Sequence, residues 1–156
     1  MQLTYPGPLS PTPPAFRLSL PAGWEERPHA TAAAFAVDSR SPAGFTVNLI
    51  VLLTRVLTDD TLDQLIDQLQ AAPAAGVMQP RLEGRQRSTI DGHDAVLSAL
   101  TLTAPSLPFP LFQAQAALLI GGQTQHLVHC YATCPAAVAE QYGTAFRAIF
   151  ETLRFD

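Results

Sequence analysis

The sequence predicts a mixed α+β domain, an antiparallel sheet of about six to seven strands flanked by two main amphipathic helices. Three observations carry that prediction. Segments alternating at strand period are separated by turns bearing Gly and Pro. Two other stretches repeat apolar residues at helical spacing. One strand, over Phe45 to Thr54, is apolar on both faces, as the centre of a sheet covered on both sides requires.

The elements follow in order. Residues 1–14 contain five prolines, which disfavour helix and central strand, so they read as an extended arm or a disordered tail ahead of a single domain over residues 15–156. Phe16 to Leu20 alternates at strand period and stops at a Pro21-Ala22-Gly23-Trp24 turn, with Trp24 at the edge of the core. Strands follow at Ala32 to Val37 and Phe45 to Thr54, separated by a turn at residues 39–44. Phe45, Val47, Leu49, Val51 and Leu53 share one face of the longer strand, while Ile50 and Leu52 make its other face apolar.

Asp59 or Asp60 is expected to cap a first helix in which Leu62, Leu65, Ile66 and Leu69 form the buried stripe, ending before Pro73. Two hairpins come next. Arg81 to Ile90 and His93 to Thr103 flank Asp91-Gly92, a pair suited to a turn with positive φ at both central positions; Phe112 to Ile120 and Gln123 to Thr133 flank Gly121-Gly122. A second helix is expected from Pro135, with Val138, Tyr142, Ala145, Phe146, Ile149, Phe150 and Leu153 along one broad stripe.

Composition bounds the function. The chain has 156 residues, enough for one domain with its own core. It is 47% apolar and only 14% charged, which excludes a disordered chain and leaves some apolar surface exposed. Thirteen acidic residues face nine arginines and no lysine, with no run of like charges longer than two, so a nucleic-acid or anionic-membrane surface is not expected. The all-Arg, Ala- and Pro-rich usage points to a GC-rich bacterial genome. The first residues lack the basic and apolar regions of an export signal, which predicts a cytoplasmic protein. The apolar runs, Leu49 to Leu53 among them, are far short of the roughly 18 residues of a membrane span.

A Leu-Pro-x-Gly-Trp turn (Leu20, Pro21, Gly23, Trp24), a central strand with Asn48, Leu49 and Val51, an acidic-capped helix, a Gly-turn hairpin and a last helix carrying Phe146 and Ile149 together resemble the PsbP-like superfamily. Within it the chain is similar to the bacterial DcrB-like proteins, from about Ala15 to Phe155. The resemblance implies an α/β/α sandwich with a curved sheet. It also implies a non-enzymatic role, since the superfamily includes secreted lipoproteins, photosystem accessory proteins, nuclear-transport factors and cytoplasmic chaperones of type VI secretion effectors. The chaperone-like branch matches this chain in length and in lacking an export signal.

The side chains that could carry chemistry have simpler readings. His126, His129, Cys130 and Cys134 loosely resemble a zinc set, but on a strand His129 faces away from His126 and Cys130, so no metal is expected. A disulfide between Cys130 and Cys134 would need the chain after the strand to fold back. No G-x-S-x-G elbow is present, and His93 and Asp94 are adjacent on a strand and point apart. Gly121-Gly122 lacks the Lys and the helix start of a phosphate loop. Glu25-Glu26 and Asp59-Asp60 fit a solvated turn and a helix start. No catalytic residue, no cofactor and no enzyme activity are expected.

Binding is the expected role. Leu107-Pro108-Phe109-Pro110-Leu111-Phe112 is an apolar connection where polar turn residues would be usual; it either presents an exposed patch or folds back as a lid on the core. Gln113 and Gln115 on the next strand, and Asn48 on the central one, are neutral amides able to hydrogen-bond a partner without the desolvation cost of a charge, although internal satisfaction in the sheet accounts better for Asn48. The candidate partner-binding set is thus Phe109, Leu111, Phe112, Gln113, Gln115 and Asn48. The expected function is an adaptor or chaperone shielding an apolar segment of a partner protein such as a secreted effector, and a homodimer would form through the same surface. The alternative is a carrier of a small ligand or lipid, held between helix and sheet.

Overall fold

The computed structural model of the protein describes residues 1–71 and 78–156. Among the described residues the strands are β1 (Phe16–Arg17), β2 (Trp24–Glu26), β3 (Ala34–Asp38), β4 (Asn48–Val56), β5 (Gln79–Ile90), β6 (His93–Thr103), β7 (Leu111–Gly121), β8 (Gln125–Pro135) and β9 (Arg154–Phe155). The helices are α1 (Leu62–Leu69) and α2 (Ala139–Glu151). Seven strands form one antiparallel sheet in the order β2-β3-β4-β8-β7-β6-β5, and β1 pairs with β9 outside it. Neither described helix is long and apolar enough to cross a membrane.

The sheet is covered on both faces. Val47, Leu49 and Val51, the side chains of Ala116 and Leu118 on β7, and Val128, Cys130, Ala132 and Cys134 on β8 all turn to one face. There they meet Tyr142, Phe146, Ile149 and Phe150 of α2 and Leu153 just beyond it. This is the main core. On the other face Leu62 and Ile66 of α1 pack on Val96, Ala117 and Leu127, a smaller cluster. A third cluster, Leu100, Leu102 and Leu111, lies on that same face beneath Phe45, Leu107 and Phe109.

Several elements differ from their sequence-based expectation, each for a local reason. The strand expected from Phe16 to Leu20 is only two residues long, because it pairs with the two-residue β9 rather than with the main sheet. Leu18 and Leu20 still pack on the main core. The strand expected from Phe45 starts at Asn48: Ser41 Oγ accepts from Val47 N, and Phe45 leaves the strand to join the third cluster. Neither Asp59 nor Asp60 caps α1. Thr61 does, accepting from Gln64 N while the Gln64 side chain accepts from Thr61 N, a reciprocal capping box. Pro73 lies outside the described residues.

The Asp91-Gly92 turn has φ of 49° and 75°, as its sequence predicts. The second hairpin turns later than expected. Gly121 is still paired, with Gln125, and its φ of 127° and the 2.5 Å between a built Cβ and Thr124 O reserve the position for glycine. Pro135 ends β8 and precedes a short 3₁₀ turn over Ala136–Val138, so α2 begins at Ala139. The Pro-rich arm folds over the β7–β8 turn, where Thr124 Oγ1 donates to Pro8 O.

Candidate functional site

One feature with the shape of a binding site is a cleft between α2 and the β5–β7 half of the sheet. Its volume is about 340 Å3, and its lining is mostly apolar. The residues that open it are small. Gly84 on β5, Ala99 on β6, Ala114 on β7 and Gly143 on α2 face the space, while Leu97, Phe112 and Phe150 supply its apolar walls. A side chain at Gly84 would meet nothing within 4 Å of its Cβ, so the space above β5 is unfilled. The Phe112 ring lies 3.6 Å from a built Cβ at Gly143, an ordinary van der Waals distance, so the ring and the helix backbone are neighbours across the cleft. Gly84, Gln86 and Arg147 at the rim are exposed, and Arg147 is held by an i,i+4 ion pair with Glu151 at 3.1 Å.

In the first turn of α2, the Tyr142 hydroxyl donates to Asp38 Oδ2 at 2.7 Å. Burial and then this hydrogen bond to the carboxylate push the phenol up to about 12. Asp38, 4% exposed, also accepts from Arg40 N and pairs with the Arg40 guanidinium. Trp24 stacks edge-on against Phe146, with ring centroids 6.3 Å apart, closing that end of the core.

The opposite face carries a chain of polar side chains between its two apolar clusters. His129 Nε2 lies 3.1 Å from Gln115 Oε1, and the Tyr131 hydroxyl lies 2.7 Å from His129 Nδ1. Gln70, at the end of α1, donates to Gln115 Oε1; Gln115 donates to Gln113 Oε1; and Gln113 donates to Thr133 Oγ1. Because Gln115 Oε1 only accepts, the ring proton of neutral His129 belongs on Nε2, and Tyr131 then donates to Nδ1. Burial holds the His129 imidazole down at about 4, so it stays neutral across the physiological range. Arg85 Nη2 extends the chain by donating to Gln70 Oε1, and Arg85 also pairs with Asp67 on α1.

The residues singled out from the sequence do not share one surface. Phe109 is half-buried and packs with Leu107 and Phe45 over Leu100, Leu102 and Leu111. The connection folds back onto the sheet as a lid, and Leu111 is only 2% exposed. Phe112 points to the opposite face, into the cleft under α2, because neighbouring strand residues alternate. Gln113 and Gln115 are engaged in the polar chain, and the Asn48 amide donates to Thr46 O.

His126, Cys130 and Cys134 face α2, whereas His129 faces α1. Among the described residues no three His, Cys, Asp or Glu side chains gather as metal ligands, and both cysteines are free and buried. Burial pushes each thiol up to about 12, which disfavours a free thiolate for nucleophilic attack near neutrality. His93 stacks on Phe155 at 5.5 Å, away from Asp94, which is exposed. Sequence reasoning missed the cleft. Its signal was weak: Gly84, Ala99, Ala114 and Gly143 are small residues scattered over four elements that only the fold brings together.

No protein-family model matches the chain, and no curated protein sequence is close enough to count as a match. Solved structures do match. The chain is similar to LpqN, involved in cell envelope biogenesis of Mycobacterium tuberculosis, with TM-score 0.74 and 15% identity over 97% of this chain and 87% of that one. It is also similar to CyanoP, the cyanobacterial PsbP of Synechocystis, with TM-score 0.61 and 11% identity over 100% and 98% of the two chains. A Pseudomonas aeruginosa protein of unknown function matches with TM-score 0.51 and 15% identity over 90% of this chain and 83% of that one. At these identities the likeness shows the fold alone, which is PsbP-like.

Proposed function

We propose that this chain is a non-enzymatic binding protein, an adaptor or chaperone that takes an apolar segment of a partner protein into the cleft beneath α2. The observation that carries the reading is the form of that cleft, apolar inside, floored by small residues, and exposed along its rim at Gly84, Gln86 and Arg147. Sites that hold a small ligand usually enclose 70–90% of its surface, and a rim this exposed suits an occupant that brings its own cover. The DcrB-like resemblance of the sequence supports a cytoplasmic setting and a secreted effector of the type VI class as the partner. The reading assigns Phe112 to the binding surface, while Phe109 and Leu111 hold the opposite face together.

A second reading has one observation in its favour. The cleft volume, about 340 Å3, lies at the lower end of the range for small-molecule sites, which supports a lipid or other apolar ligand. Native mass spectrometry of protein isolated gently from its own host separates the two. Wild type is expected to carry a polypeptide that Ala99→Asp, which puts a charge in the cleft, no longer retains. An adduct with the mass of a lipid that Ala99→Asp loses supports the carrier instead. A polypeptide retained equally by both proteins would contradict the cleft as the binding site.

A further inference from the structure

The cleft opens at one edge of the sheet. Among the described residues β5 is the last strand in the sheet order and pairs on one side only, with β6. It is twelve residues long, against three for β2 at the other edge. Ile90 and His93 close the two-residue turn as a hydrogen-bonded pair, so the alternation of an antiparallel ladder turns the backbone N–H and C=O of Thr89, Arg87 and Arg85 outward. Among the described residues, no backbone hydrogen bond between elements reaches that row. The register shift between Leu82 and Gly84 blunts the start of the strand and leaves residues 85–89 as its regular free stretch.

Deepening the proposed reading of the cleft, on which it rests, we infer that the partner's segment binds in extended form, adding an eighth strand to β5 and turning alternate side chains into the cleft. Two features of the structure meet there. The outward backbone groups of residues 85–89 are the complement of another strand. Beside them the unfilled space above Gly84 leads into the cleft, so every second side chain of an added strand stands next to an apolar hollow.

Charge selects the occupant. Arg85 and Arg87 lie on the face away from the cleft, paired with Asp67 and Asp63 of α1. An antiparallel pair of β5 with its copy would set Arg87 opposite Arg87 when centred there, or Arg85 opposite Arg87 when centred on Gln86, and like charges directly opposite are unfavourable. The occupant is therefore a segment of a different protein, with apolar side chains toward the cleft and neutral or acidic ones at the intervening positions.

The probe is an end-capped, fluorescein-labelled nine-residue peptide of alternating valine and glutamate, and binding is read by fluorescence anisotropy. Arg87→Pro removes an outward N–H without removing a ladder bond, and Arg87→Ala removes the same side chain while keeping the N–H. Gly84→Leu fills the space above β5. Circular dichroism and melting establish that each variant folds, and Thr89→Pro replaces Arg87→Pro if the latter does not. Wild type and Arg87→Ala are expected to bind the peptide within about threefold of one another, and Arg87→Pro and Gly84→Leu to bind about tenfold or more weakly.

A wild type that fails to bind the alternating peptide, or an Arg87→Pro protein that binds like Arg87→Ala, overturns strand addition. A second probe, a helical amphipathic peptide of leucine and glutamate, tests the underlying reading separately. If it binds wild type and Arg87→Pro alike and is lost in Gly84→Leu, the cleft stands as an apolar site and the added strand falls. If Gly84→Leu binds both peptides as wild type does, both readings fall.

Discussion

The two faces of the sheet are built differently. Under α2 the apolar side chains of the helix and of β4, β7 and β8 form one continuous core, with Phe146 and Leu153 fully buried. Under α1 the apolar contacts fall into two separate clusters, and the band between them is a run of amides with His129, Tyr131 and Thr133. Apolar stabilisation grows with the area buried, and the cluster under α2 is the largest of the three, so that face supplies most of the cohesion. The hydrogen bonds across the α1 face are directional and leave little freedom in how α1 sits on the sheet. The consequence for function is that the face with the deeper core also carries the hollow: small residues at one side of α2 leave unfilled space where large ones elsewhere fill it.

The largest expected effect tests where that cohesion lies. Phe146→Ala should destabilise the protein by about 3–5 kcal/mol, and Ile66→Ala, on the α1 face, by less, about 2–3 kcal/mol, measured by urea unfolding. Equal or reversed costs would break the comparison. The next effect is a pH dependence located on the α1 face. The unfolded imidazole takes its proton near 6.5, while His129 in the fold stays neutral down to about 4. Stability is therefore complete above pH 6.5 and falls as the pH drops toward 4, by about 3 kcal/mol in all. His129→Gln, which keeps hydrogen-bonding capacity and does not titrate, should flatten that part of the profile; an unchanged slope would mean that the band does not hold a neutral histidine.

A smaller effect probes the band itself. Gln115→Leu keeps the volume close but leaves His129 Nε2–H, Gln70 and Gln113 without their shared partner, at a cost of about 2 kcal/mol. A neutral result would show that the band adds nothing beyond what an apolar replacement supplies.

Local chemistry made much of this fold legible in the sequence. Asp91-Gly92 specified a hairpin through its own backbone preferences, and β6 runs from His93 to Thr103 as its alternation predicts. The stripe through Tyr142, Phe146, Ile149 and Phe150 is buried as helical spacing requires. What escaped was decided by distant partners. Phe16 to Leu20 has strand alternation, but its partner is the short β9 at the far end of the chain. The Pro-Phe connection reads equally as patch or lid until Leu100 and Leu102 are placed beneath it. Gln113 and Gln115 stood out as amides, yet their role in the fold depends on Gln70, His129 and Thr133, which no spacing rule links to them.

The most direct test of the cleft as the binding surface compares the two faces in one experiment. A photo-crosslinking amino acid is placed at Ala99, which lines the cleft, and in a second protein at Leu52, equally half-buried on the α1 face. After irradiation in the native host, adducts are sought by mass spectrometry. Crosslinks from Ala99 to an apolar segment of another polypeptide, with none from Leu52, are the predicted result; adducts from Leu52 alone, or none from Ala99, would contradict it.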